Sequence, residues 1–320
     1  MVRANAVNDS FEAKCPDFVH KAWEQWVLIV NEMDITNRKL LIAFNVFLVF
    51  STTFLNLLSV ITIRSSSQLR GKLCYTVILL QSAVDLAVGV VSIPLFIIYL
   101  ATPLLGIQSC VAVVALIEIV ILAPALSSIT LTAITAERYI GVLYPYAYQT
   151  KFTTGHILTY VNASSLFSLV SIILSTYVPK VLIYSVCILF PAFFIMTAYA
   201  YTRIYLVVTK LDRSCRKPRD IAQKHNTKRR LLREIKHAKS CFVVVLCFAV
   251  CLMPTAMGPI LVNHLAKSVQ YAAYGTWTMT LHFLNSNFTS MIFFWSKKML
   301  RKEAVVILKS TFRDDVKRHL

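Results

Sequence analysis

A carboxylate in the middle of a segment that crosses hydrocarbon must pair, hold a cation or keep its proton. Asp85 stands in such a place, in Gln81-Ser82-Ala83-Val84-Asp85-Leu86-Ala87, inside a long apolar run. Neutral oxygen donors fall at similar depth in other apolar runs: Asn56, Ser127, Ser128, Asn285 and Ser286. One carboxylate with several neutral oxygens suits a hard cation such as sodium. The same residues also make a hydrogen-bonded packing knot with no ion. A second constellation closes the third apolar run, where Glu137-Arg138-Tyr139 stands, and Glu234 opens the sixth after a basic stretch. An arginine near the inner interface pairs with its neighbour Glu137 and with a carboxylate from another helix. With both helices ending at one level, Arg138 to Glu234 is a two-state latch whose opening lets the sixth helix swing out. The plainer alternative is an interfacial anchor. Pro94, Pro124, Pro191 and Pro254 lie inside apolar runs, where each removes a helical hydrogen bond and favours a kink. A bend at Pro254 would amplify a small inner rearrangement at the cytoplasmic end; a static kink is the other reading.

These residues need elements that hold them in lipid. The 320-residue chain is 57% hydrophobic and 15% charged, with a mean hydropathy of +0.64, too few charges for the wet shell of a soluble domain. Seven runs of spanning length follow one another, approximately Leu40–Ile63, Leu73–Leu100, Ser109–Tyr144, His156–Val178, Val181–Val208, Cys241–Val262 and Tyr271–Trp295. They imply an all-α membrane protein, a seven-transmembrane helix bundle. Residues 1–39 would be an extracellular N-terminal segment, 40–295 the membrane domain and 296–320 a cytoplasmic tail. In that tail Met299, Leu300, Ala304 and Ile307 share a helical side against Lys298, Arg301, Lys302 and Lys309, as in a short amphipathic helix on the inner surface; a solvated tail is the alternative.

Lys and Arg gather in alternate connections, after runs one, five and seven, and so mark the cytoplasmic side. The net charge of +18 is thereby explained without a nucleic-acid partner. The N-terminus lies outside, with no cleavable signal expected, and Asn8-Asp9-Ser10 there is a glycosylation acceptor or a chance tripeptide. Of eight cysteines, Cys15 and Cys110 are placed to meet an oxidising compartment, as a bridge or as separate thiols.

As an ordered set these positions resemble the rhodopsin-like (class A) G-protein-coupled receptors, from about Leu40 to Leu308. Asn56 and Asp85 are similar to the family's polar residues of spans one and two, and Glu137-Arg138-Tyr139 with Pro145 to its D/E-R-Y motif. Pro191 and Tyr199 match its fifth span; Phe248, Cys251 and Pro254 match three positions of F-x-x-C-W-x-P. The resemblance implies a plasma-membrane receptor and transducer of an extracellular ligand, working through a heterotrimeric G protein. It implies a sodium site at Asp85, Ser127 and Asn285, with no other cofactor. It also implies a switch of Glu137, Arg138, Tyr139, Tyr199, Glu234, Phe248 and Pro254. Departures from the pattern are Leu252 in place of the toggle tryptophan, and Thr289-Ser290-Met291-Ile292-Phe293 where N-P-x-x-Y stands in the family.

By the same resemblance the ligand pocket is lined by Val120, Ile121, Pro124, Tyr184, Thr255, Pro259, Met279 and Phe283. This mainly apolar set favours a lipid or other small apolar molecule over an amine; a peptide reaching Glu118 and His264 competes. Rival classes are a non-coupling seven-helix decoy or partner receptor, and a transporter or channel, against which the absence of a visible internal repeat counts. No H-E-x-x-H cluster, Ser-His-Asp arrangement or phosphate loop points to an enzyme.

Overall fold

The computed structural model describes residues 35–102, 104–105, 110–178, 180–215, 242–254, 257 and 269–318. Among them every regular element is helical: α1 Ile35–Ser65, α2 Leu73–Ala87, a π-helical turn Val88–Ser92, α3 Ile93–Ala101, α4 Cys110–Leu143, α5 Pro145–Thr150, α6 Thr154–Tyr177, α7 Lys180–Cys215, α8 Phe242–Pro254, α9 Val269–Ser296 and α10 Lys298–Arg318. Four stretches are long and apolar enough to cross a membrane: Ile35–Ser65, Leu73–Ala101, Glu118–Leu143 and Thr154–Leu174. In hydrocarbon each backbone N–H and C=O must be satisfied within its own segment, which is what continuous helices of this length accomplish.

The distribution of side chains is that of a membrane protein. On α1 the buried side is Asn45, Leu48, Thr52, Asn56, Ser59 and Thr62, repeating every three or four residues, whereas Phe47, Phe50 and Phe54 face outward, Phe50 being 71% exposed. A polar stripe turned inward with phenylalanines turned outward inverts the pattern of a helix in water. Helix α1 begins five residues before the expected Leu40, and its first turn buries Arg38 against the Leu100 carbonyl at 3.4 Å.

Helices α2, α3 and α9 pack on α1, while α4 lies against α2, α3, α6 and α7. The core has two parts. An inner one gathers Val77, Leu131, Ile134, Ile204, Phe248 and Phe293; a second gathers Leu48, Val88, Phe96, Val120 and Phe283. The second span is one run in sequence but not one regular helix. Pro94 has no N–H to give the carbonyl four residues back and its ring crowds that carbonyl, and the five-residue π turn just ahead of it widens the backbone there. Gly89 in that turn sits against α1: a Cβ would lie 2.8 Å from Thr53 Oγ1 and 3.1 Å from its backbone nitrogen.

Gly89→Val is therefore expected to destabilise the protein by about 1–3 kcal/mol through overpacking. Gly275→Ala, where no atom lies within 4 Å, is expected to be neutral or slightly stabilising. Thermal unfolding of the purified variants in detergent checks the pair, and equal midpoints would remove the close-approach argument.

The tail is helical over Lys298–Arg318. Leu300 and Ala304 turn inward where α10 packs on α1 and α9, and Lys298, Arg301, Lys302 and Lys309 are exposed. Met299 is exposed, one position away from the packed row.

Candidate functional site

Asp85 is fully buried in the last turn of α2, near the middle of the Leu73–Ala101 stretch. Gln81, one turn earlier on the same side of the helix, donates Nε2–H to Asp85 Oδ2 at 3.0 Å. From α4, Ser127 donates its hydroxyl to Asp85 Oδ1 at 3.4 Å, and Thr130 donates to Gln81 Oε1 at 2.5 Å. Ser286 of α9 faces the same carboxylate. Three helices thus converge on one carboxyl group through short neutral side chains.

Beside this cluster lies a small cavity of about 10 Å³, measured for the centre of a water-sized sphere, at the lower limit for one water molecule. Its walls include Pro124, Ser127, Phe248, His282, Asn285 and Ser286. Ser127 and Ser286 connect it to Asp85. Asn285 Oδ1 is buried there with no hydrogen-bond partner among the described residues. A desolvated oxygen of this kind is normally satisfied. Asp85, Ser127, Ser286 and Asn285 all offer oxygen, the donor chemistry a hard monovalent cation takes, with Ser127, Ser286 and Asn285 on the cavity wall and Asp85 behind the two serines. The sequence brought Asp85, Ser127 and Asn285 forward; in the structure Ser127 bonds to Asp85 and shares the cavity wall with Asn285. Gln81 and Thr130 were missed. The i to i+4 relation of Gln81 to Asp85 was the available signal; Thr130 had none, because its role depends on how α4 is rotated.

Asn56 joins α1 to α9. Its Nδ2 donates to the Thr52 carbonyl at 2.9 Å and to the Ser286 carbonyl at 3.4 Å, and the Ser290 hydroxyl donates to its Oδ1. Ser290, noted in the sequence as a departure at the position where the resembled family carries a proline, makes an interhelical hydrogen bond there. Phe293, one turn on, is fully buried in the inner core.

Near the C-terminal end of α4 the Glu137 and Arg138 side chains meet. Arg138 donates from an η nitrogen to Glu137 Oε1 at 2.9 Å, and its Nε lies 2.6 Å from Glu137 Oε2. Tyr148 of α5 donates its hydroxyl to the same Glu137 Oε1 at 2.6 Å. Glu137 is 1% exposed and Arg138 9%. Burial first, and then the Glu137 charge, pushes the Tyr148 phenol above its ordinary range, which keeps it a donor at physiological pH. Sequence reasoning missed Tyr148, since the return of α5 toward α4 is made by the turn at Tyr144-Pro145. Removing this hydroxyl takes one charge-assisted bond from a buried carboxylate. Tyr148→Phe is expected to lower stability by about 1.5–3 kcal/mol in denaturant unfolding; an unchanged midpoint would show that the bond is dispensable.

The other switch positions fall around this end. Tyr139 lies 6.3 Å, ring centre to ring centre, from Tyr199, which is exposed and has Arg203 over its ring at 5.9 Å. Phe248 packs edge-on against Phe193 at 5.4 Å, beneath the cavity it lines. The Pro254 carbonyl accepts the Tyr274 hydroxyl, tying α8 to α9. Glu234 is outside the described residues, as are Asn8, Cys15, Thr255 and Pro259; Cys110 is the first residue of α4. Of the expected ligand pocket, Val120 and Phe283 are buried together with Met279 packed against them, and Ile121 and Pro124 are half-buried. Tyr184 is on α7, and its side chain is outside what is described.

Fold and site together define a helical membrane protein with a carboxylate-centred polar core and a buried ion pair at one end of α4. No family model matches the chain, and no curated protein matches it.

Proposed function

We propose that the chain is a seven-helix receptor of the rhodopsin-like kind, which couples an extracellular ligand to a heterotrimeric G protein on the cytoplasmic side. In this reading α7, α8 and α9 supply the remaining three crossings, with the N-terminus outside and the plasma membrane as the site of action. The observation that carries it is the Glu137–Arg138 pair, buried at the inner end of α4 and clasped by Tyr148. A buried ion pair is a poor source of net stability and a good two-state element, because its partners can be exchanged. Opening it frees the Arg138 guanidinium for a G-protein segment. Moving α8 outward, with Phe248 and Pro254 at its hinge, would widen the surface that the exposed Tyr199 and half-buried Tyr139 already begin.

Asp85, Ser127 and Asn285 would hold a sodium ion in the small cavity. When bound, the ion neutralises the carboxylate and draws α2, α4 and α9 together. Above it, Val120, Ile121, Pro124, Met279 and Phe283 offer a mainly apolar surface, which suits a lipid or other small apolar ligand, with Tyr184, Thr255 and Pro259 completing the set.

One observation favours a second reading, a receptor-like partner subunit or decoy that does not couple. Leu252 is a buried aliphatic where a toggle tryptophan would turn, and α9 is held to α1 through Ser290 and Asn56. Expression in cells carrying a reporter for each G-protein class separates the two. Glu234→Ala, which removes the second carboxylate from the latch, is expected to raise ligand-independent signalling through one class by a few-fold. A flat baseline in every class, for the natural protein and the variant alike, would favour the non-coupling reading.

A further inference from the structure

Lysine is among the residues least often buried, because its ammonium loses hydration on leaving water and its long stem lets the charge reach the surface instead. Lys297 goes the other way. It stands at the corner between α9 and α10 and is 2% exposed, whereas Lys298, Arg301 and Lys302 just after it are all exposed. The backbone holds it from both sides: its N–H donates to the Phe293 carbonyl at 2.9 Å, and its carbonyl accepts from the Arg301 N–H at 3.1 Å. Phe293 and Leu300, both fully buried in the inner core, flank the corner.

The side chain is turned onto sulfur. Lys297 Nζ donates to Cys74 Sγ at 3.9 Å, across a separation of 223 residues in sequence. Thiol sulfur is a weak acceptor, so the contact replaces little of the hydration that the ammonium has lost. Its chemistry is more telling than its strength. Cys74 is the second residue of α2, a helix whose N-cap Lys72 makes no side-chain hydrogen bond, and it is half-buried, within reach of a small oxidant. A helix N-terminus, a neighbouring cation and partial exposure together are the setting in which cysteine reacts. Cys247 and Cys251, the other cysteines with described side chains, lie on α8, which carries no lysine.

We propose that Cys74 and Lys297 form a redox-modification site, at which hydrogen peroxide joins the two side chains through a sulfur–nitrogen bond and so ties the start of α2 to the end of α9. The Cys74 sulfur attacks one peroxide oxygen, the O–O bond breaks, and the products are a sulfenic acid and water. Lys297, having given one proton to solvent, then attacks that sulfur with its nitrogen lone pair. The S–O bond breaks, the departing hydroxide takes a proton from the nitrogen, and a second water leaves. Sulfur is oxidised by two electrons, one peroxide is reduced to two waters, and the joined side chains are lighter by two hydrogens. The flexible four-carbon stem of Lys297 lets Nζ close the remaining gap. The site depends neither on the receptor reading nor on which side of the membrane it faces.

Purified full-length protein in detergent is treated with hydrogen peroxide, its remaining thiols are alkylated, and its tryptic peptides are identified by mass spectrometry. A peptide pair joined at Cys74 and Lys297 is expected, two hydrogens lighter than its unlinked halves, uncut after Lys297 and separated by dithiothreitol. In Lys297→Met, which keeps a long buried side chain and removes the amine, Cys74 is expected to end unlinked as a sulfinic acid. The same unlinked sulfinic acid in the natural protein, or a disulfide from Cys74 to another cysteine, would overturn the proposal. So would a Cys74 left reduced, or a link to Lys72 or Lys298 as abundant as the one to Lys297. The natural protein alone gives each of these outcomes, so a poorly folding variant leaves the test intact.

Discussion

Arg138→Ala is expected to reach the cell surface and yet to activate G protein at least about tenfold less than the natural chain, a difference of about 1.4 kcal/mol in the coupled state. Under the proposed receptor function, the reason lies in what the resting and stimulated forms would each ask of this guanidinium. In the structure it neutralises Glu137, itself 1% exposed, through two close N–O contacts. In the stimulated form it would leave that carboxylate and donate to a peptide segment of the transducer. Alanine fulfils neither role. Breaking a buried pair by removing one partner strands the other charge, at a cost of about 3–5 kcal/mol. Some of that is recovered here, since Tyr148 still donates to Glu137 at 2.6 Å. The double variant Glu137→Gln with Arg138→Ala removes the stranded charge and separates stability from coupling. Restored thermal stability with signalling still absent is the expected result. Signalling by Arg138→Ala equal to that of the natural protein would remove the latch from the mechanism.

Sodium is expected to stabilise the purified protein and to lose that effect in Asp85→Asn. A ligand that binds only the folded state contributes RT ln(1 + [L]/Kd), about 2.7 kcal/mol at a hundredfold excess over Kd. Comparison of thermal unfolding in sodium chloride with choline chloride at equal ionic strength reads this directly. Asparagine keeps one oxygen able to accept from Gln81 or Ser127 and a size close to that of aspartate, which preserves the fold while removing the negative charge that holds a cation. Ser127→Ala and Asn285→Ala each remove one neutral oxygen and are expected to reduce the sodium effect in part. Identical unfolding in the two salts for the natural protein would mean that the Asp85 cluster is a hydrogen-bonded knot without an ion.

The membrane-length helices and the core were legible in the sequence to very different degrees. Alternation of apolar runs and basic clusters announced the membrane-length helices, because spanning length follows from bilayer thickness alone. Asp85 stood out for a similar reason: a carboxylate in such a run is exceptional whatever surrounds it. Gln81 and Thr130, neutral and common in helices, carry no comparable signal, and only the meeting of α2 with α4 makes them a relay to the carboxylate. The π turn at Val88–Ser92 was likewise hidden, although Pro94 marked the place where the helix had to yield.

What the chain determined without any fold in view was its solvent: residue types set the transfer free energy of each run, and that quantity is local. Which side of each helix turns inward is not local. Asn56 finds Ser290 at a separation of 234 residues, Tyr148 reaches back eleven to Glu137, and Asn162 is left exposed. Each depends on helix rotation, fixed by packing between helices far apart in the chain, where a turn of 100° exchanges a buried residue for an exposed one.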